Sequence, residues 1–398
     1  MLLLCFISVL CAIIFILFRY SFWRQKCSQL IPGNNIGLFN VFGDLKEVLI
    51  FWTSNFKHDI HHYVVFLLMK WVEQHKKEKL FCIWFFYDPF VFLIKADAVR
   101  ELLKERKIIE RNWVFDKMKI LLGEGLVTRP IDKWKPRRKL LMPCFSHAML
   151  REYLTVMNKH SKEFVKFLEK ETKQESFVAK KYFTHLSLDI ICDTMFGFST
   201  RSVETDDPKY VTAVTRLEDI FLSRVYKFWL WSDFIFKFTS EYREGMQYIR
   251  LLQDLANSVF EEKKILYLDK SKTNLKGKRK AMIDVLLQLH LETKELSKDD
   301  VMDELMTFLF AGLERTAAAL MWAFFMIGLH PEVQQKIQEE LDNVFGEDRE
   351  RYATEDDLND LTYLSCVLKK IPKLIYTPVI IISLSRKTLS DIVRDYLH

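Results

Sequence analysis

The sequence predicts a mainly α-helical protein with a small β region, and three observations lead there. Apolar residues recur at helical spacing through most of the 398 residues. One pair of β-rich runs interrupts that pattern, F-C-I-W-F-F-Y and F-V-F-L-I-K between Phe81 and Lys95, around Asp88-Pro89, which is a hairpin signal. No Pro/Gly/Ser-rich linker or internal repeat divides the chain, and Gly (11) and Pro (9) are scarce. The length permits two or three average domains, although large single domains of this size exist. Hydrophobic residues at 49%, with 33 Phe, supply ample material for a large core.

At the N-terminus, Met1 to Phe18 carries no charge and is followed by Arg19, Arg24 and Lys26. A cleaved signal peptide would place basic residues before its apolar run and small residues after it. Neither is present, so residues 1–18 read as a membrane anchor whose basic flank, and with it the body, stays cytosolic. Residues 19–33 are expected to form a hinge ending in the breaker Ile31-Pro32-Gly33. The seven cysteines show no C-x-x-C spacing, as suits reduced thiols. A net charge of +6 suits a membrane surface or an acidic redox partner and excludes a nucleic-acid footprint.

Further along, His58, His61 and His62 stand at helical i, i+3, i+4 spacing. Without carboxylate or cysteine support they read as a solvated helix face rather than a metal site. Lys272 to Lys280 is basic and Gly-containing, and a mobile loop between helices is expected over a localisation signal. Pro331 suits the first position of a helix, where its missing N–H costs nothing. Val333, Ile337 and Leu341 then form a stripe at spacings of four, and Thr354 with Asp357 resembles a capping box.

The most informative segment is Leu305 to Leu329, apolar almost without interruption except for Glu314 and Arg315 near its centre. Two adjacent charges at mid-depth count against a second membrane span, and a buried core helix is expected instead. Glu314 with Thr316 offers an acid and a hydroxyl for moving protons in a dry site. Arg315 has only Gly312, Ala311, Ala318 and Ala319 at helical contact spacing, so a buried guanidinium there needs a partner from elsewhere.

Ala311-Gly312-Leu313-Glu314-Arg315-Thr316 resembles the oxygen-binding helix of the cytochrome P450 family, the haem-thiolate monooxygenases. Trp134 and Arg138 in W-K-P-R-R are similar to that family's W-x-x-x-R, in which the arginine meets a haem propionate. L-D-I-I-C-D-T-M-F-G (Leu188 to Gly197) and H-P-E-V-Q-Q-K-I-Q-E-E-L-D-N-V-F-G (His330 to Gly346) resemble family four, the fatty-acid ω-hydroxylase branch. The set, in this order from about Leu30 to Lys369, implies the P450 fold over residues 34–369. It implies Glu314 and Thr316 as catalytic residues and Trp134, Arg138, Ala311 and Gly312 against a haem cofactor. It also implies a lipophilic substrate, an NADPH-dependent flavoprotein reductase as electron donor, and an endoplasmic-reticulum membrane location. In the family, the aromatic stretch Ser223 to Tyr248 roofs the substrate cavity and can touch the bilayer, while aromatic core packing explains it equally well.

The sequence also departs from the family. The acid–alcohol pair is broken by Arg315, and Ala311 stands where family four often carries a glutamate bonded covalently to haem. Lys370 and Lys373 replace the family's Glu and Arg after C-V-L-K, and Pro372 is expected to break that helix. The haem loop F-x-x-G-x-R-x-C-x-G is absent, so no cysteine is named as iron ligand. The expectation is a P450 fold lacking its C-terminal haem-loop portion, with residues 370–398 a non-family tail from a truncated or misassigned transcript, a splice form or a pseudogene. Such a chain is expected not to retain haem and to lack monooxygenase activity, the alternative being a membrane-tethered remnant that binds a reductase or a lipophile.

Overall fold

A computed structural model describes residues 2–54, 60–104, 113–171, 173, 177–198, 200, 209–269, 281–348, 350–375 and 380–383. The basic segment 272–280 and the side chains of His58, His61 and His62 lie outside the described residues. The chain divides into two compact units, where the sequence reading treated 34–369 as one domain.

The first unit comprises Met1–Asp116, Val225–Phe228 and Thr377–His398. Helix α1 (Leu2–Leu30) does not stop at the end of the uncharged run. Its first part exposes a run of large apolar side chains including Phe6, Ile14, Phe15 and Phe18, as a membrane anchor would. The part expected to be a hinge is instead a docked helix with Ser21, Arg24, Cys27 and Ser28 buried. Arg24 is the physical reason. Its Nη1 donates to the carbonyls of Phe86 (2.5 Å) and Val41 (3.2 Å) and its Nη2 to that of Asn40, while the guanidinium lies 4.7 Å from the Tyr87 ring centre. A buried cation needs such a set of acceptors, and the set is available only if the helix continues past Phe18. The chain leaves the helix after Leu30, at the expected Ile31-Pro32-Gly33 break.

Helices α2 (Leu45–Ser54) and α3 (Ile60–Gln74) follow. Strands β1 (Leu80–Phe85) and β2 (Asp88–Leu93) then pair antiparallel, Leu80 opposite Leu93 and Phe85 opposite Asp88. The turn is therefore Phe86-Tyr87, not Asp88-Pro89. Pro89 sits near the start of its strand, where a missing donor is tolerated, and Phe86 takes the left-handed conformation (φ 56°). Its backbone is held from both sides, its N–H by the Phe42 carbonyl (3.2 Å) and its own carbonyl by Arg24. Strand β3 (Ile380–Ser383) joins β2 antiparallel, giving the order β1-β2-β3.

Consecutive residues of β1 and β2 are buried because both sheet faces are covered. Val48, Leu67 and Trp71 pack with Phe81, Ile83, Phe90 and Phe92, while Cys27, Ile31 and Ala98 of α4 (Ala96–Lys104) pack with Cys82, Trp84, Val91 and Leu93. Asp44 pins the edge of β1. Its carboxylate accepts from the Trp84 N–H (2.7 Å) and Asn34 Nδ2 (2.7 Å), and its own N–H donates to the Trp84 carbonyl (2.8 Å). Gly43 before it is at φ 64°, and a Cβ there would stand 2.2 Å from the Trp84 carbonyl oxygen, so glycine is required.

The second unit comprises Lys117–Arg224 and Trp229–Tyr376. Its helices are α5 (Ile131–Leu141), α6 (His147–Glu171), α7 (Ala179–Ile191), α8 (Lys209–Tyr226), α9 (Ser240–Leu268), α10 (Met282–Leu291), α11 (Lys298–Gly328), α12 (Pro331–Phe345) and α13 (Thr362–Ile375). α11 is the long apolar helix, capped by Ser297 with Asp300 in a reciprocal box. Leu305, Leu309, Leu313 and Ala317 are buried at spacings of four, and α11 packs most closely against α7.

The first turns of α11 carry an ion network. Arg137 on α5 bonds Asp300 (2.6 Å) and Glu304 (3.2 Å), Arg129 bonds Asp300 (2.8 Å), and the N–H groups of Glu124 and Leu126 donate to Asp303 (2.8 Å) and Glu304 (3.0 Å). Burial works against the Asp300 carboxylate, yet bonds from Arg137, the Ser297 N–H and Arg129 hold its pKa well below the usual range. At Glu304, one turn on and fully buried, burial wins over the Leu126 N–H and the two arginines and pushes the pKa up. These paired charges, with Glu314 and Arg315 beyond them, make α11 a core helix although its length and composition would suffice for a span.

Helix α12 opens on Pro331, as expected, with Ile337 buried and Val333 and Leu341 half-buried. The Thr354–Asp357 capping box forms, the Asp357 N–H donating to Thr354 Oγ1 (3.2 Å) and the Thr354 N–H to Asp357 Oδ2 (2.7 Å). Pro372 does not break α13, which runs to Ile375. The proline removes a single bond, to the carbonyl of Leu368 on the exposed side, and only three residues of helix follow it. The aromatic stretch divides: Leu230 and Phe236 are buried with Ile220, Trp229 and Tyr242, whereas Phe234 and Phe238 are exposed as an edge-to-face pair 5.1 Å apart.

Two neighbouring arginines on α5 provide a test. Arg137→Ala leaves Glu304 buried without its cation and is expected to cost about 3–5 kcal/mol in urea unfolding. Exposed Arg138, whose guanidinium lies 5.2 Å from the Trp134 ring, is expected to cost about 0.5–1 kcal/mol as Ala. Equal losses would remove the network from its central role.

Candidate functional site

The six residues Ala311 to Thr316 point in three directions, because successive positions on an α-helix turn by about 100°. Leu313 is buried, in line with Leu309 and Ala317. Gly312 faces α7: a Cβ at this position would stand 2.2 Å from Ile191 Cδ1 and 2.7 Å from its Cγ1. The role visible for this glycine is thus close helix packing. Ala311, Arg315, Thr316 and Ala319 lie exposed on the remaining face.

Arg315 is therefore not a buried cation in search of a partner, and the expectation that it would be is corrected. A helix that is apolar by composition was read as buried all round, but only one stripe of α11 is covered among the described residues. Glu314 and Thr316 are not brought together either, since two positions of separation place them about 200° apart around the helix. The hydroxyl that Glu314 meets comes from elsewhere. Thr215 Oγ1 on α8 donates to Glu314 Oε1 at 2.9 Å. Glu218, one turn further along α8, also hydrogen-bonds the Glu314 side chain, and burial first, then the neighbouring Glu314 charge, push the Glu218 pKa up. Neither Thr215 nor Glu218 was found by reading the sequence. The pairing spans 99 residues, and T-R-L-E carries no local sign of it.

Trp134 is half-buried on α5 and Arg138 stacks over it with its guanidinium in solvent. The adjacent Arg137 points the other way, into the ion network. Phe145 meets Phe308 of α11 at 5.7 Å between ring centres.

Haem-thiolate chemistry asks for a cationic partner to the propionates and a thiolate on the iron. Arg138 is free to serve the first. The second is not supplied by the described cysteines. Cys144 is buried and its pKa is pushed up to about 12, chiefly by burial. Burial likewise drives Cys192 and Cys82 well above the ordinary thiol value. Cys5 and Cys11 lie exposed on α1, Cys27 is buried in its docked part, and Cys366 is exposed on α13. The residues present therefore do not fit the group as iron ligands, and no step is derived through it.

The sequence model of the cytochrome P450 family matches residues 50–397. This chain belongs to the cytochrome P450 family. The matched range runs through the stretch from Lys370 that the sequence reading set apart. Among curated relatives, cytochrome P450 4V2 of Homo sapiens is 34% identical over 320 residues, covering 77% of this chain and 60% of that protein. Cytochrome P450 4c3 of Drosophila melanogaster is 36% identical over 301 residues, covering 72% of this chain and 56% of that protein. The orangutan (Pongo abelii) 4V2 protein is 34% identical over 316 residues, again covering 60% of the relative. The chain thus spans somewhat under two thirds of the length of these relatives.

The packing role of Gly312 is open to direct test. Gly312→Ala forces Ile191 to shift and is expected to cost about 1–3 kcal/mol, and adding Ile191→Ala should recover part of that loss. If the two losses simply add in thermal melts, the close approach of α7 and α11 is not what glycine serves there.

Proposed function

We propose that this protein belongs to the haem-dependent oxidation of a lipophilic substrate such as a fatty acid, and that the 398-residue chain holds the proton-handling helix of that chemistry without an iron ligand of its own. The reading rests on one observation above the others. In a P450-family chain, the acid of the α11 motif, Glu314, is kept half-buried and hydrogen-bonded by Thr215 of a neighbouring helix. When bound in such proteins, haem supplies oxygen activation and cleavage of the O–O bond. What this chain's own residues contribute is the carboxyl of Glu314 held at a defined point, a hydroxyl that donates to it, and Arg138 as a cation for a propionate. Thr316, on the exposed face of α11, stands as a second hydroxyl for the same chemistry. Ala311 lies on that face as well, with a side chain small enough to admit a planar group.

Helix α1 supports a membrane-bound protein, and an endoplasmic-reticulum location with a cytosolic body fits its basic flank. A lipophilic substrate and an NADPH-dependent flavoprotein reductase follow from the family. The exposed Phe234–Phe238 pair supports an apolar surface near the substrate roof.

The test is the reduced carbon-monoxide difference spectrum of the purified full chain after incubation with haem. A spectrum without the thiolate signature and an absence of fatty-acid hydroxylation with added reductase are expected. A thiolate-type spectrum would overturn the assignment of the chain as lacking an iron ligand.

A further inference from the structure

We propose that Glu218 and Glu314 share one proton, and that this proton clasps α8 to α11 and positions the Glu314 carboxyl. Thr215 and Glu218 are three residues apart and so project from one face of α8. Both reach the same carboxyl: Thr215 through its hydroxyl at 2.9 Å, Glu218 through a side-chain hydrogen bond. An ionised carboxylate has only acceptors. Two carboxyls can therefore bond each other only when one of them carries a proton, and with both ionised they repel.

The Thr215 hydroxyl settles which oxygen is left for the pair. It occupies Glu314 Oε1 as a donor, so Glu314 acts as the acceptor of the arrangement and Glu218 as the carrier of the proton. The half-buried Glu218 supports that assignment, since burial is the largest influence favouring its neutral form. The other charged groups facing Glu218 are Lys180 at the start of α7 and Arg315 on α11, both of which favour ionisation. They act against burial and the Glu314 charge without overcoming them. Arg315 thereby acquires a role that its exposed position alone does not suggest, limiting how far the proton is held above the ordinary range. Glu218 is a positioning residue in this scheme. It touches the acid of the motif and decides where that acid stands.

The proposal rests on reading Glu314 as the acid of the site, but its test reads the pair itself and does not depend on oxidation activity. For a carboxyl whose pKa is raised by folding, the stabilising contribution is full below the ordinary glutamate value and is lost as pH rises through the shifted one. Glu218→Gln keeps a donor that cannot be lost. The melting temperature of the full chain carrying E218Q should match the unsubstituted protein at low pH and exceed it increasingly as pH rises above the ordinary carboxyl range. In a Glu314→Gln background that pH-dependent advantage should shrink, because the neighbouring charge is gone and only the burial of Glu218 remains. A Glu218→Gln effect that is flat with pH, or that is unchanged by Glu314→Gln, would overturn the shared proton. Failure of the carbon-monoxide test would leave these outcomes as they are.

Discussion

The second unit depends on the contact between the first turns of α11 and the arginines of residues 129 and 137. A 31-residue helix of mostly apolar side chains has little in its own composition to define rotation or height within a bundle. Leucine and alanine stripes tolerate several packings, whereas a buried carboxylate does not. Glu304 is fully buried and is satisfied only when Arg137 and the Leu126 N–H both reach it. That requirement sets the rotation of α11, and the rotation then decides which of its residues face α7, which face α8 and which face outward. Asp300, shared between Arg129 and Arg137, fixes the loop before α5 to the same point. The network contributes through the cost of breaking it more than through net attraction, since burying the charges already consumes much of the Coulombic gain.

The first unit is organised by the same constraint in a different form. Arg24 meets no carboxylate in its immediate shell but three backbone carbonyls and an aromatic face. Those carbonyls come from the loop before Asp44 and from the hairpin turn, so one side chain joins α1, the 40–44 loop and the β1–β2 turn. Asp44 answers from the opposite direction by taking the Trp84 N–H at the sheet edge. In both units, a buried charge with few acceptable partners sets the register of elements whose apolar surfaces alone would leave it open.

At the candidate site this logic separates residues that are adjacent in sequence. Glu314 is drawn to α8, Gly312 admits Ile191, and Arg315 and Thr316 are left outward. The acid of the motif is consequently held by Thr215 and Glu218 rather than by the next hydroxyl along its own helix. A carboxyl held in this way presents its lone pairs in a fixed direction, which is what proton transfer in a water-poor site requires.

The sequence by itself determined the fold class, the hairpin, the α12 start at Pro331, the Thr354–Asp357 cap and the family. Each of these rests on local signals: apolar periodicity, a missing proline N–H, a side chain reaching three residues along, or a motif several residues long. It also marked Ala311 to Thr316 as the segment of interest, because paired charges in an apolar run are legible without coordinates. Only the tertiary structure decided that the segment after Phe18 is a docked helix, that the hairpin turns at Phe86, that Pro372 stays within α13, that Arg315 is exposed and that the partners of Glu314 are Thr215 and Glu218. In most of these, the deciding contact joins residues far apart in sequence, Arg24 with Phe86 and Thr215 with Glu314 among them. Periodicity shows that a helix will bury a face, but the partner that selects the face belongs to another part of the chain.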